Sequence, residues 1–273
     1  MRTTSRIGIA LVGAAGLAFA AAAPATAATA SPALLSVLHA VPDTPVDVYV
    51  NGDRTLDDFQ PGDLAGPLEL PAGTYSVAIT AADAADDSAP VIGPIDLELA
   101  AGANYTAVAH LESGGDPTAT LFTNDVSTTA AGEGRITVRH TAAAPAVDVL
   151  AGGTAVVEGL ENPNEQVLDL AAGTVSASVA AAGTTDPLIG PADVQVEEGV
   201  NTILYAWGSL DDDTLQLATQ TIDGLHGSPS GVNSGSAGLA AEPGPFAAIW
   251  TAIGALFVAA AASAAVVVRA RRH

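Results

Sequence analysis

The chain has 273 residues, and its 30 acidic against eight basic residues give a net charge of −22. It contains no cysteine, which excludes disulfide bonds, thiolate metal sites and cysteine nucleophiles. It also contains no lysine, and since proteins bind phosphate backbones through Lys and Arg, nucleic acid is excluded as a partner. The length is sufficient for two ordinary domains once processed segments are set aside.

The first 30 residues have the pattern of a secretory signal peptide. Arg2 and Arg6 form a basic start, and an uncharged apolar run continues from there to Ala23. Two Ala-Thr-Ala sites, ending at Ala27 and Ala30, then offer cleavage positions. A retained membrane anchor or a buried helix is the alternative, but the two adjacent cleavage sites favour removal of residues 1–30 on export.

A motif near the start of the remaining chain occurs a second time. "HAVPDTPVDVYVNG" begins at His39, and "HTAAAPAVDVLAGG" begins at His140, 101 residues later. Two further pairs repeat in the same order: "LELPAGTYSVAI" with "LDLAAGTVSASV", and "VIGPIDLEL" with "LIGPADVQV". Such a series indicates an internal duplication. It predicts two copies of one domain, over residues 31–128 and 129–223.

Both copies alternate apolar and polar residues with period two. In the segment from Ile95 to Leu99, for example, three apolar side chains face one side and two acidic ones the other. The pairs Asn51-Gly52 and Gly152-Gly153 suit tight hairpins that need positive φ. We predict an all-β fold of two tandem antiparallel β-sandwich repeats, each with seven or eight strands and a core of Val, Leu, Ile and Ala.

The segment after the second repeat changes composition twice. Residues 224–245 are rich in Gly, Ser, Pro and Ala, as in a flexible stalk. Residues 246–268 carry no charge and would form a helix about 34 Å long, which is enough to span a bilayer. A buried soluble helix is the alternative, but this segment has no polar face.

The three arginines of the tail, residues 269–273, set the predicted orientation. Arginines beside a membrane segment stay in the cytoplasm, so the body would lie outside the cell. The sorting pentapeptide for covalent wall attachment is missing, which favours membrane retention. All 30 acidic residues precede the membrane segment together with only three arginines (Arg54, Arg135 and Arg139), so the external part has a net charge near −27.

His39 and His140 are the strongest candidates for chemistry, because both belong to the repeated motif. As metal ligands or general bases they would need a close partner, for which Asp47 and Asp148 are available. The other interpretation, which we favour, is that each histidine caps a strand end by bonding to the backbone. Asp47 and Asp148 alternate away from the valines, so we expect solvent or a loop amide as their partner.

Two acidic clusters are candidates for calcium binding. Asp211-Asp212-Asp213 lies in one predicted loop, and Asp83, Asp86 and Asp87 lie in another. Neither has the alternating acidic spacing with glycine that calcium loops use, so we predict solvated loops, with calcium a less favoured partner.

No motif of an enzyme is present. The nucleophile elbow Gly-x-Ser-x-Gly, the phosphate-binding loop and His-Glu-x-x-His are all missing. We predict no catalytic, cofactor-binding or metal-binding residues, and a protein that is not an enzyme.

The repeated motif resembles that of a known family. "HAVPDTPVDVYVNG" from His39 and "LPAGTYSV" from Leu70 are similar to the DUF4397 family of secreted and surface bacterial proteins of unassigned function. The second repeat departs from the pattern, with Ala143-Ala144 in place of Pro42-Asp43 and Val175 in place of Tyr75. The resemblance implies a surface-exposed β domain and brings no catalytic residues.

Together these patterns predict a single-pass type I protein of a bacterial cell membrane. Its extracellular body would be a structural or binding module for a wall polymer or a partner protein, with loops carrying the contact. An accessory or sensor subunit of a membrane complex is the alternative, although the cytoplasmic tail has only five residues. An extracellular hydrolase is less favoured, because no pocket of clustered acids and histidines is suggested.

Overall fold

A computed structural model describes residues 30–227 of the chain. The predicted signal peptide up to residue 29, the predicted stalk from residue 228, the predicted membrane helix and the tail lie outside the described residues. Every regular element between residues 30 and 227 is a β-strand. No helix in this part of the chain is long and apolar enough to span a membrane.

The described residues form two compact units. The first comprises residues 30–111 and 116–124, and the second comprises residues 112–115 and 125–227. The predicted boundary, after Thr128, lies four residues later than this one. Each unit contains eight strands.

The first unit consists of two four-stranded sheets, with strand orders β4-β1-β7-β8 and β3-β2-β5-β6. Its strands are β1 (Ala33–Ala40), β2 (Val46–Val50), β3 (Asp53–Phe59), β4 (Leu64–Leu70), β5 (Gly73–Ala81), β6 (Ile92–Leu99), β7 (Asn104–Leu111) and β8 (Pro117–Thr123).

The second unit repeats these two strand orders, as β12-β9-β15-β16 and β11-β10-β13-β14. Its strands are β9 (Glu133–Ala143), β10 (Val147–Ala151), β11 (Thr154–Leu160), β12 (Glu165–Ala171), β13 (Gly173–Ala181), β14 (Pro187–Val196), β15 (Asn201–Ser209) and β16 (Gln216–Ile222). The all-β prediction is confirmed.

The prediction of purely antiparallel sheets is wrong in one pairing of each unit. β1 runs parallel to β7, with Leu34 opposite Asn104, and β9 runs parallel to β15. All other strand pairs are antiparallel. Period-two alternation is the same in both arrangements. The direction of β1 depends on where the chain returns after five intervening strands, which no local pattern records.

The core of the first unit lies between its two sheets and is mainly aliphatic. Leu35 of β1 and Ala107 of β7 come from one sheet, and Val48, Ile79 and Leu97 come from the other. The core of the second unit is built in the same way. Each large aliphatic side chain buried like this stabilises the fold by about 1.5–3 kcal/mol, which allows a fold of this size to form without disulfides.

The two predicted hairpin turns have the expected backbone conformation. Asn51 and Gly52 have φ of 52° and 85°, and Gly152 and Gly153 have φ of 57° and 81°. Two successive positive φ angles match the twist of a two-residue hairpin. In the first unit the Asn51 side chain also accepts a hydrogen bond from the amide of Ser76, at 2.9 Å, which ties the turn to β5.

A glycine before proline forms a bulge in both repeats. The pairing of β5 with β6 shifts register between Val77 and Ile79, opposite Gly93. Gly93 has φ of +94°, and a Cβ there would lie 2.6 Å from the carbonyl oxygen of Val77. Gly190 in the second unit has φ of +89° and a similar clash, at 2.8 Å from the carbonyl of Ala177.

Replacing Gly93 by alanine is therefore expected to lower the free energy of unfolding by about 2 kcal/mol, from the unfavourable φ and the backbone contact. Thermal unfolding followed by circular dichroism measures the change. Gly73→Ala is the matched control, since a Cβ there meets only the edge of the Tyr75 ring at 4.0 Å. Equal losses in the two variants would contradict the bulge argument.

The first four residues of the predicted stalk belong to the second unit. The amide of Thr129 donates to the carbonyl of Leu225 at 2.9 Å, and the amide of Leu225 donates to the carbonyl of Gly199 at 2.8 Å. Leu225 is buried. The stalk composition that begins at Gly224 therefore overlaps the folded unit up to residue 227.

Candidate functional site

The first copy of the repeated motif forms the connection from β1 to β2. His39 is the penultimate residue of β1, and its Nε2 is 2.7 Å from the carbonyl oxygen of Thr44. Since that oxygen can only accept, Nε2 carries the proton and donates. The ring is 1% exposed and stacks on Phe59 with 6.0 Å between centroids. His39 thus closes the loop that ends at Thr44, five positions further along the chain.

The second copy uses the same contact. His140 is buried, and its Nε2 lies 3.0 Å from the carbonyl oxygen of Pro145. Its Nδ1 accepts a hydrogen bond from the amide of Ala142 at 3.4 Å. The donor and the acceptor are again five residues apart, which is why both copies of the motif begin with histidine. This arrangement confirms the favoured interpretation of a backbone-bonded cap.

Asp47 and Asp148 also bond to their own unit. Asp47 is fully buried; its Oδ1 accepts from the amide of Asp58, and its Oδ2 accepts from Arg54, both at 2.9 Å. Asp148 accepts from the amides of Gly159 and Gly183, both at 2.7 Å. The expectation of a loop amide is confirmed for Asp148, which accepts from Gly183 in the β13–β14 connection, whereas the amides of Asp58 and Gly159 belong to strands β3 and β11.

The histidines and aspartates of the motif therefore do not form the pairs that catalysis or metal binding would require. Nε2 of His39 is bonded to a carbonyl, and both oxygens of Asp47 are occupied by Arg54 and Asp58. A general base needs an orienting partner and access to substrate, and these buried groups instead hold loops in place. In each unit, the motif's histidine and aspartate form what we call a clamp: hydrogen bonds that hold the backbone around β2 or around β10 in place.

Asp43, the acidic residue that the second repeat lacks, has a conformational role. It is exposed and has φ of 61°, a left-handed conformation that aspartate tolerates better than most residues. It therefore shapes the β1–β2 turn.

The acidic clusters lie in loops, as predicted. Asp86 accepts from the amide of Ser88 at 3.0 Å, and this contact together with the Ser88 hydroxyl lowers the pKa of Asp86. The amide of Asp212 donates to the hydroxyl of Ser209 at 3.3 Å. Between residues 30 and 227, no three His, Asp or Glu side chains are placed so that they could hold a metal ion.

The first copy of the motif lies in a segment that matches a known protein family. Residues 33–150 match the family described as "Domain of unknown function (DUF4397)". This segment is therefore similar to the DUF4397 family. The match covers every strand of the first unit and continues through β9 into β10 of the second. No curated protein matches the chain.

The last strand in the DUF4397 match, β10, carries the second aspartate clamp. The match thus contains both histidines and both aspartates of the repeated motif. Since all four bond to neighbouring backbone of their own unit, a structural role accounts for their recurrence within the DUF4397 segment. No reaction needs to be assumed to explain it.

A polar network that the sequence analysis missed lies on the sheet β12-β9-β15-β16. Arg139 of β9 is 1% exposed; its Nε donates to Glu165 at 2.7 Å, and its Nη1 donates to the Tyr205 hydroxyl at 2.8 Å. That hydroxyl donates to Gln220 at 2.6 Å. The rarity of arginine could have pointed to this network. Three arginines lie between Ala30 and Phe246, and two of them are on β9, within the segment that matches DUF4397.

The other arginine of β9 anchors the chain that enters the second unit. Arg135 makes two hydrogen bonds to the carboxylate of Asp169, at 2.8 and 3.1 Å, and pairs with Asp125 at 3.0 Å. It also donates to the carbonyl and the hydroxyl of Ser127, both at 3.1 Å. These contacts fix the start of the unit, so both arginines of β9 have structural partners.

The two clamp histidines predict a dependence of stability on pH. Burial lowers the pKa of His39 and of His140 below 6.5, against smaller raising contributions from the carbonyls of Thr44 and Pro145. As the pH falls, the unfolded chain therefore takes up protons before the folded one does. The free energy of unfolding should be highest above about pH 6.5 and should decrease as the pH falls from there towards the lower native pKa values.

Chemical denaturation at about pH 7.5 and about pH 5.5, on either side of the histidine range, measures this slope. A variant carrying His39→Gln and His140→Gln is the control, because glutamine can still donate to the carbonyls but does not titrate. Its slope should be smaller than that of the natural protein. Equal slopes in both proteins would assign the dependence to carboxylates instead.

Proposed function

We propose that this protein is a membrane-anchored, extracellular module that binds a wall polymer or a partner protein at the bacterial cell surface. Its location rests on the predicted signal peptide, residues 1–30, and on the predicted membrane helix with its arginine tail, residues 246–273. The DUF4397 segment supports this proposal, because the sequence resemblance is to secreted and surface proteins.

The observation that supports a binding role is that the clamps hold loops in fixed positions. In both units, the motif histidine bonds to the loop that follows its strand, and the motif aspartate bonds to a backbone amide of the neighbouring strand β3 or β11, which holds the β1–β2 and β9–β10 loops on a rigid sheet scaffold. Rigid scaffolds that present fixed loops are typical of binding modules. Two other loops of the described units are acidic: the β5–β6 connection carries Asp83, Asp86 and Asp87, and the β15–β16 connection carries Asp211 to Asp213.

This role does not include catalysis. The recurring histidines and aspartates are buried and already hydrogen-bonded within their own unit. An accessory subunit of a membrane complex is the second candidate, favoured by the predicted membrane helix. It differs in that its main contact would lie in the membrane.

Two measurements on the full chain test the proposal. Protease added to intact cells should degrade both units, while opened cells serve as the positive control; protection in intact cells would contradict the external location. Membranes containing the protein should then retain purified wall polysaccharide in a saturable manner. A variant with Asn at Asp211, Asp212 and Asp213 should weaken retention, with the same change at Asp83, Asp86 and Asp87 as its matched partner.

The second measurement also separates the two candidates. Retention that is lost in either loop variant supports the surface module. Absence of retention, together with a membrane protein that copurifies and is released by replacing only the predicted membrane helix, residues 246–268, would favour the accessory subunit.

A further inference from the structure

The first unit contains an apolar cavity between its two sheets. Its volume is about 110 Å³. The lining comes from both sheets and is aliphatic except for Thr55; it includes Leu35, Val48, Ile79, Leu97, Ala107 and Ala119. Cavities lined in this way exclude water and accept apolar molecules: about 150 Å³ is enough for benzene or xenon in an engineered case. The cavity is therefore of the size that holds one small apolar group.

The second unit fills the equivalent space with two leucines. Val37 of β1 pairs with Ala107, whereas the equivalent Val138 of β9 pairs with Leu204. Ala109 pairs with Ala119, whereas the equivalent Ala206 pairs with Leu217. The interior of the second unit is accordingly divided into two smaller cavities, of about 70 and 40 Å³. The larger space in the first unit is thus a specific difference between two copies of one fold.

The cavity reaches the surface along the edge strands β3 and β4. Thr55 of β3 is exposed, and Leu56 of β3 and Leu68 of β4 are half-buried although both line the cavity. At the opposite side of the sandwich, β6 lies against β8 and closes that edge. A ligand would therefore enter between β3 and β4, past the hydroxyl of Thr55.

The charges on these two edge strands select the kind of ligand. Exposed acidic residues border the opening, namely Asp53, Asp57 and Asp58 on β3 and Glu69 on β4. The nearby cation, Arg54, is paired with Asp47 at 2.9 Å and with Asp57 at 2.8 Å. A carboxylate or phosphate head group would meet this negative edge without a free counter-charge, so an uncharged molecule is preferred.

From these observations, we propose that the first unit binds the end of an uncharged hydrocarbon chain between its sheets, through the opening between β3 and β4. The chain could belong to a free alcohol or to a neutral lipid. This site is independent of the wall-polymer contact proposed above, because it lies in the sandwich interior and not in the acidic loops.

Photolabelling of the full chain in phosphatidylcholine vesicles tests the site. The probes are decanol and a neutral diacylglycerol, each with a diazirine near the end of the chain, and decanoate with the same group as the anionic comparison. Since the chain has no lysine, peptides are produced with a protease that cleaves after Asp and Glu. We expect labels within residues 33–81 from the neutral probes and much weaker labelling from decanoate.

The second repeat supplies the test variant. Ala107→Leu combined with Ala119→Leu places in the first unit the residues that the second unit already has, so folding should be retained, as circular dichroism would show. Labelling of residues 33–81 should fall by about tenfold or more, because the added leucines fill the cavity. Ala107→Leu alone, which adds less volume, should give a smaller decrease. Ala101→Leu, at an exposed turn position, should label like the natural protein.

Each outcome decides one part of the proposal. Labels that are absent from the whole of residues 33–121, or that persist unchanged in the double variant, would overturn the site. Equal labelling by decanol and decanoate would overturn the preference for an uncharged chain. Labelling by only one of the two neutral probes would identify whether a free alcohol or a lipid is the source. Loss of wall-polymer binding in the loop variants, with labelling unchanged, would show that the two contacts are separate.

Discussion

Replacing Asp148 by alanine is expected to lower the free energy of unfolding of the second unit by about 3–5 kcal/mol, since each hydrogen bond to a charged group contributes about 1.5–3 kcal/mol. The buried carboxylate accepts from the amides of Gly159 and Gly183, both at 2.7 Å. These amides belong to two different segments, the end of β11 and the β13–β14 connection. Alanine would leave both donors in a protein interior without their acceptor, and the two segments would lose their link to β10.

Tryptophan fluorescence during chemical denaturation measures this loss. Trp207 is buried in β15 of the second unit, and Trp250→Phe removes the chain's other tryptophan. Asp186→Ala is the matched control, because Asp186 is an exposed aspartate just before β14, and surface changes of this type stay within about 0.5 kcal/mol. A loss below about 1 kcal/mol for Asp148→Ala, that is, less than one charged hydrogen bond, would contradict the clamp.

Replacing Arg139 by methionine is expected to lower the free energy of unfolding of the same unit by about 3 kcal/mol. Removing one partner of a buried ion pair leaves the remaining charge without its counter-charge. Arg139 is buried, pairs with Glu165 at 2.7 Å and donates to Tyr205 at 2.8 Å. Its guanidinium also lies 5.3 Å from the centre of the Tyr205 ring. A single guanidinium thus joins three neighbouring strands, β9, β12 and β15.

The geometry of this arginine makes lysine a poor substitute. The contacts to Glu165 and Tyr205 use two different nitrogens of one planar group, and an ammonium offers a single point of charge. Arg139→Lys should therefore recover less than half of the loss. Combining Arg139→Met with Tyr205→Phe completes a double-mutant cycle, in which additive losses would show that the two side chains do not interact.

Much of the fold follows from short-range patterns in the sequence. Alternation in the segment from Ile95 to Leu99 predicts which side chains enter the core, and the structure buries Leu97 and Leu99 while Asp96 and Glu98 are exposed. The pair Asn51-Gly52 predicts a turn with two positive φ angles, which is observed. Such signals survive in a sequence because a residue's own conformational preference and its two neighbours determine them.

The candidate site was predictable only in part. The motif identifies His39 and Asp47 as recurring residues: His39 bonds to the loop carbonyl of Thr44, as expected, whereas Asp47 bonds to the amide of Asp58 in strand β3. Their burial was not expected, because period two places Asp47 opposite the valines but does not reveal that the second face of β2 is also covered. The network around Arg139 was missed for a similar reason: its partners are 26 and 66 residues away along the chain.

The sequence by itself determined the all-β class, the duplication, the hairpin turns and the aliphatic character of the cores. Only the tertiary structure decided that β1 and β7 run parallel, that the motif is a clamp, and that two alanines leave a cavity where the second repeat has leucines. The difference is physical. Conformational preference and alternation act between neighbours in the chain, whereas strand direction, burial of both faces and interior volume depend on segments that meet only when the chain has folded.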